Sequence, residues 1–66
     1  MLKENVQVSA IMAEEYTIPI AVVWNGCSFD VERILESNGN DRFTCLVNGL
    51  ERRLIYESEA WYEELS

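Results

Sequence analysis

Cys27 and Cys45 are the strongest nucleophiles in this 66-residue chain, and the groups able to activate them are few, because the sequence has no histidine and a single lysine, Lys3. Nucleophilic catalysis needs a base within hydrogen-bond reach of the thiol, and general acid–base chemistry draws most often on histidine. Neither thiol has an obvious partner, so both read as small apolar core residues, and no catalytic set is expected. A conventional zinc site needs four Cys or His ligands, and two isolated cysteines do not supply them. No metal or cofactor site is expected.

The carboxylates offer one pair with suggestive spacing, Asp30 and Glu32. Residues two apart on a strand share a face, so the two acids could meet, but the same spacing describes a solvated outer face opposite Phe29 and Val31. Arg52-Arg53 is the only basic dipeptide. Adjacent strand residues point to opposite faces, so it is not a two-pronged phosphate clamp. Arg53 can instead join Arg33 and Arg42 in a weak basic patch. Aromatic residues make up 11% of the chain, more than one thin core easily hides, which singles out Tyr16, Tyr56, Trp61 and Tyr62 as a candidate partner surface.

Charge narrows the partners. Twelve acidic residues against five basic ones give a net charge of −7, which repels a phosphate backbone and disfavours nucleic acid. The longest apolar stretch, Ile20 to Trp24, is too short to cross a bilayer. Met1-Leu2-Lys3-Glu4-Asn5 carries one positive charge and no following apolar block, so it does not read as a secretory signal. A reducing cytoplasm and free cysteines are the expectation.

The elements that position these residues are read from two Asn-Gly dipeptides, Asn25-Gly26 and Asn48-Gly49, each set between alternating apolar runs. Both residues tolerate the positive φ that a type I′ turn requires, so each dipeptide predicts a tight hairpin. Across the first, Trp24 faces Cys27, Val22 faces Phe29 and Ile20 faces Val31; across the second, Val47 faces Leu50, Cys45 faces Arg52 and Phe43 faces Leu54. Pro19 cannot donate to a ladder and should lie at a bulge, a strand start or an edge. Past Val31 the alternation slips, and a β-bulge near Arg33 restores it. Glu4 to Ala13 alternates as a half-buried strand, and Ser37-Asn38-Gly39-Asn40 is a turn. Arg52 is the odd member of an apolar face; its stem covers the barrel end while the guanidinium reaches water or a carboxylate such as Glu32, Glu57 or Glu63. Residues 58–65 fit a closing strand or a short helix, the strand being favoured because a meander needs its edge covered.

The run Pro19 to Leu35, with its pattern P-x-x-x-x-W-x-G-x-x-F-x-V-x-x-I-L, resembles a stretch found in small uncharacterised bacterial proteins. The later Arg52-Arg53-Leu54 and Trp61 are similar as well. The resemblance implies a hairpin fold and carries no assigned activity. Those proteins are rich in arginine where this chain is acidic.

The expected architecture is therefore all-β, one domain over residues 1–66: a small antiparallel meander of five or six strands curled into an SH3-like, partly open barrel, with α+β and a C-terminal helix as the alternative. Its expected core is Ile20, Val22, Trp24, Phe29, Val31, Phe43, Cys45, Val47 and Leu54. A domain this small has a thin core and a stability of about 3–10 kcal/mol, at about 0.05–0.15 kcal/mol per residue. The expected function is a non-enzymatic protein-interaction module that binds an unidentified protein or itself, because an aromatic patch beside carboxylates suits basic or proline-rich peptides. The alternative is a nucleic-acid-associated accessory barrel using Arg33, Arg42 and Arg53.

Overall fold

The computed structural model describes residues 2–65. Its elements are β1 (Lys3–Met12), β2 (Thr17–Trp24), β3 (Cys27–Asn38), β4 (Arg42–Val47), β5 (Leu50–Glu57) and β6 (Ala60–Glu64), with no helix among the described residues. Each strand pairs antiparallel with the next, and β6 pairs back onto β1 from Lys3↔Glu64 to Val6↔Trp61, which closes the barrel. The all-β, SH3-like expectation holds with six strands, but the barrel is closed rather than partly open, because residues 60–64 form a closing strand that pairs with β1. No helix among the described residues is long and apolar enough to cross a membrane.

The turns form where the sequence places them. Asn25 and Gly26 have φ of 50° and 78°, and Asn48 and Gly49 have 51° and 76°, the paired positive values of type I′. The predicted registers follow: Trp24↔Cys27 and Val22↔Phe29 in one hairpin, and Val47↔Leu50, Cys45↔Arg52 and Phe43↔Leu54 in the other.

Three bulges then adjust which side chains face inward. On β1, Val8 and Ala10 are two residues apart, yet they face Val22 and Pro19, which are three apart; Ile20 is the extra residue. On β4, Val47, Cys45 and Phe43 are spaced by two, yet they face Val31, Ile34 and Ser37, spaced by three, with a shift on either side of Ile34. Each extra residue restores the pairing phase with the neighbouring strand where strict alternation would have reversed it. The bulge expected near Arg33 is the first of the two in β3.

The bulge in β2 corrects the expected core. Ile20 is 45% exposed, and the ladder between β2 and β3 ends at Ala21↔Asp30, so the expected Ile20–Val31 pair does not form. Pro19 takes the inward place and is among the most fully buried side chains. Proline suits a bulge because it has no ladder N–H to lose. The centre consists of Val6, Val22, Phe43, Cys45, Val47, Leu54 and Trp61, with Val8, Ala10, Trp24, Phe29, Val31 and Tyr56 packed around it. Full burial of each large aliphatic or aromatic side chain contributes roughly 1.5–3 kcal/mol.

Candidate interaction surface

The four aromatic residues expected at a partner surface do not gather. Trp61 faces inward on β6 and is only 7% exposed, so it belongs to the core, its ring 5.9 Å from Phe43 and 5.1 Å from Tyr56. Tyr56 is held partly buried by that contact. Tyr62 points outward, with Lys3 Nζ 4.6 Å from its ring centroid, and Tyr16 stands exposed in the β1–β2 connection. Nothing local marks Trp61 as inward, since β6 starts after a turn made by Ser58 and Glu59, which carries no glycine to announce it.

The three arginines of the expected basic patch do share a face. Arg33 pairs with Leu46, Arg53 with Thr44 and Arg42 with Ile55, all on the outer side of β3, β4 and β5. The same face carries acids: Glu51 pairs with Leu46, Glu36 with Thr44, and Glu64 lies 3.8 Å from Arg53. Arg42 and Arg53 line a shallow outer groove of about 310 Å³ together with Glu36, Glu51 and Glu64. Cations and carboxylates alternate there, so the face offers no sustained positive potential to a polyanion. Asp30 and Glu32 are both exposed, as a solvated outer face requires.

Chemistry concentrates instead at the barrel end beside the two Asn-Gly turns. Trp24 and Phe29 meet across the first hairpin with ring centroids 5.5 Å apart. Arg52, opposite Cys45 on the inward face of β5, extends along Trp24 so that its guanidinium carbon lies 4.6 Å from the ring centroid. Its Nη1 donates to Glu63 Oε2 at 2.8 Å, and the Glu63 side chain is only 7% exposed. Arg52 therefore covers the barrel end and reaches a carboxylate, and Glu63 is the partner it takes. Its Nε–H is buried and has no acceptor among the described residues.

A second carboxylate stands at the same place. Glu4 pairs directly with Glu63 across β1 and β6, and cross-strand partners share a face. Like charges set opposite each other are unfavourable, and one guanidinium offsets only one of them. Trp24, Phe29, Arg52, Glu4 and Glu63 line a cleft of about 510 Å³, together with Leu50 and Leu65 among others. Leu50 and Leu65 are 54% and 51% exposed, so the rim is apolar as well as acidic. Sequence reasoning anticipated the reach of Arg52 but not this cleft, since Glu4 and Glu63 become neighbours only when β6 closes on β1.

The thiols stand apart from any such assembly. Cys45 is a buried core residue as expected, whereas Cys27, next to the first Asn-Gly turn, is exposed and not part of the core. Both are free, and burial pushes the Cys45 thiol up from 9.0 to about 11. Among the described residues no three Cys, Asp or Glu side chains converge to hold a metal ion. No family model matches the chain, and searches of curated proteins and of solved structures likewise found no match.

Proposed function

We propose that this protein is a non-enzymatic interaction module that receives a segment of another protein in the cleft at its barrel end. The observation that carries this reading is the joint presence of Trp24, Phe29 and two half-exposed leucines beside Glu4 and Glu63 in one concavity. Aromatic and aliphatic surface supplies contact area, while a few fixed polar groups supply orientation, which is the usual composition of a recognition site. The outer arginine face supports the nucleic-acid alternative less well, because Glu36, Glu51 and Glu64 are interleaved with its cations.

A photo-reactive benzoyl-phenylalanine placed at Leu50 on the cleft rim, and in a second variant at Gln7, which is exposed on β1, tests this reading. In the cells that express the protein, the Leu50 probe should yield a discrete adduct with one heterologous protein, and the Gln7 probe should not. Indistinguishable adduct patterns from the two positions, adducts of the chain with itself alone, or none would refute it.

A further inference from the structure

We infer that the cleft recognises one cationic side chain of its partner, an arginine or lysine flanked by aliphatic residues, seated beside Arg52 and against Glu4; this rests on the cleft being the partner-binding site. Three independent features of the cleft point to the same ligand chemistry.

The first is a demonstration by the chain itself. Arg52 shows how a guanidinium is held here, with its carbon 4.6 Å from the Trp24 centroid and Nη1 2.8 Å from Glu63. A ring face and a carboxylate together favour a cation over any neutral group of the same shape. The second is the charge count. Glu4 and Glu63 face each other across β1 and β6, and Arg52 is the only cation among the described residues lining the cleft. Lys3, next to Glu4 in sequence, is turned away, donating to Glu57 at 2.6 Å and lying over Tyr62. Among the described residues one negative charge in the cleft is thus left without a partner, and the net charge of −7 draws cations toward it from a distance.

The third feature selects a side chain over a free ion. Leu50 and Leu65 expose apolar surface at the rim, and Phe29 stands beside Trp24 with its ring partly exposed. A small ion in water gains nothing from such a rim, whereas a peptide carrying leucine-like residues on either side of its cation buries it. The charge of the chain also argues against a second copy as the occupant. Its five cations are held close to carboxylates or spread over the mixed outer face, and two copies would bring seven net negative charges each to the contact.

The test uses the full chain and the tripeptide Ac-Leu-Arg-Leu-NH2, followed by the amide resonances and the Trp24 indole N–H. Its controls are the same tripeptide with citrulline for arginine, which keeps the shape and removes the charge, and guanidinium chloride at matched ionic strength. Saturable shifts at the Trp24 indole and at the amides of Glu4, Phe29 and Leu50 are expected. Binding should be about two- to fivefold tighter than for the citrulline peptide, as a single exposed ion pair with Glu4 implies, Arg52 already occupying Trp24. Glu4→Gln, at an exposed position, should weaken binding about two- to fivefold without changing the fold.

Equal affinity for the citrulline peptide, an unperturbed Trp24 indole, or an unaffected Glu4→Gln variant would overturn the inference. Guanidinium chloride binding as tightly as the tripeptide would overturn the assignment to a side chain. A heterologous crosslink from Leu50 with no response to the arginine peptide would sink this inference while leaving the interaction module standing.

Discussion

Arg52 and Glu63 form an ion pair at 2.8 Å whose two members are unequally hidden, the Glu63 side chain 7% exposed and the Arg52 side chain 32%. The pair ties β5 to β6 at the barrel end and holds the guanidinium against Trp24. Removing one member of a buried pair is costly chiefly because the other is left charged and dry. The unequal burial makes that cost depend on which member is removed.

Arg52→Leu strands the buried carboxylate and should cost about 3 kcal/mol, the lower end for breaking a buried pair because Arg52 itself reaches water. Glu63→Leu leaves an arginine that can turn outward, and should cost about 1 kcal/mol. The double variant should be more stable than Arg52→Leu alone, since no uncompensated charge remains. Urea unfolding of the three variants measures this. Equal costs for the two single substitutions would show that the asymmetry in burial has no energetic consequence.

Ile20, expected in the core, is exposed, and Trp61, expected on a partner surface, is buried; the two exchange roles, and their substitutions should separate accordingly. Trp61→Ala empties the centre of the barrel and should cost about 3–5 kcal/mol, comparable with the whole stability of so small a domain. Ile20→Thr, at a bulge and 45% exposed, should stay within about 0.5 kcal/mol of the parent. Thermal unfolding followed by near-ultraviolet circular dichroism distinguishes them. A loss for Ile20→Thr as large as that for Trp61→Ala would mean that the bulge places Ile20 inside.

That exchange marks the limit of what can be read from the chain alone. Hairpin turns are local events written in Asn-Gly; the second register followed from them to the residue, and the first as far as Val22↔Phe29, short of the expected Ile20–Val31 pair. The reach of Arg52 was also legible, because a long cation on an otherwise apolar face must find water or a carboxylate. Bulges are different. Whether Pro19 or Ile20 turns inward depends on the spacing of Val8 and Ala10 on a neighbouring strand, and nothing within β2 states it. The cleft was illegible for a related reason: Glu4 and Glu63 are almost a chain length apart and meet only in the last ladder to close.

The two cysteines should differ sharply as nucleophiles. Cys27 is exposed, whereas Cys45 is fully buried and its thiol is pushed up to about 11. The thiolate is the reactive form, so native protein at pH 8 should lose one thiol to iodoacetamide, and denatured protein two. The same shift carries a stability consequence. The folded pKa lies above the unfolded one, so folding favours the protonated thiol; the benefit is complete below about pH 9 and is lost as pH rises toward 11. Cys45→Ala should flatten that part of the pH profile, and a wild-type stability that does not fall between pH 9 and 11 would contradict the assignment.

The turn between β5 and β6 is the one hairpin built from the wrong residues for its geometry. Ser58 and Glu59 hold φ of 52° and 63°, where neither Asn nor Gly relieves the contact between Cβ and the backbone. The two Asn-Gly turns of the same barrel hold nearly the same φ values without that strain. Replacing the pair by Ser58→Asn with Glu59→Gly should therefore stabilise the protein by about 1 kcal/mol, the relief at position 59 outweighing the extra freedom that glycine gives the unfolded chain. In a domain of this size that is a rise in melting temperature of about 4–8 °C. Because the turn sets the register that brings Trp61 inward and Glu63 to Arg52, the gain should appear with both contacts preserved, seen as unchanged Trp61 and Arg52 side-chain resonances. An unchanged or lowered melting temperature would show that these two positive φ angles carry no strain to release.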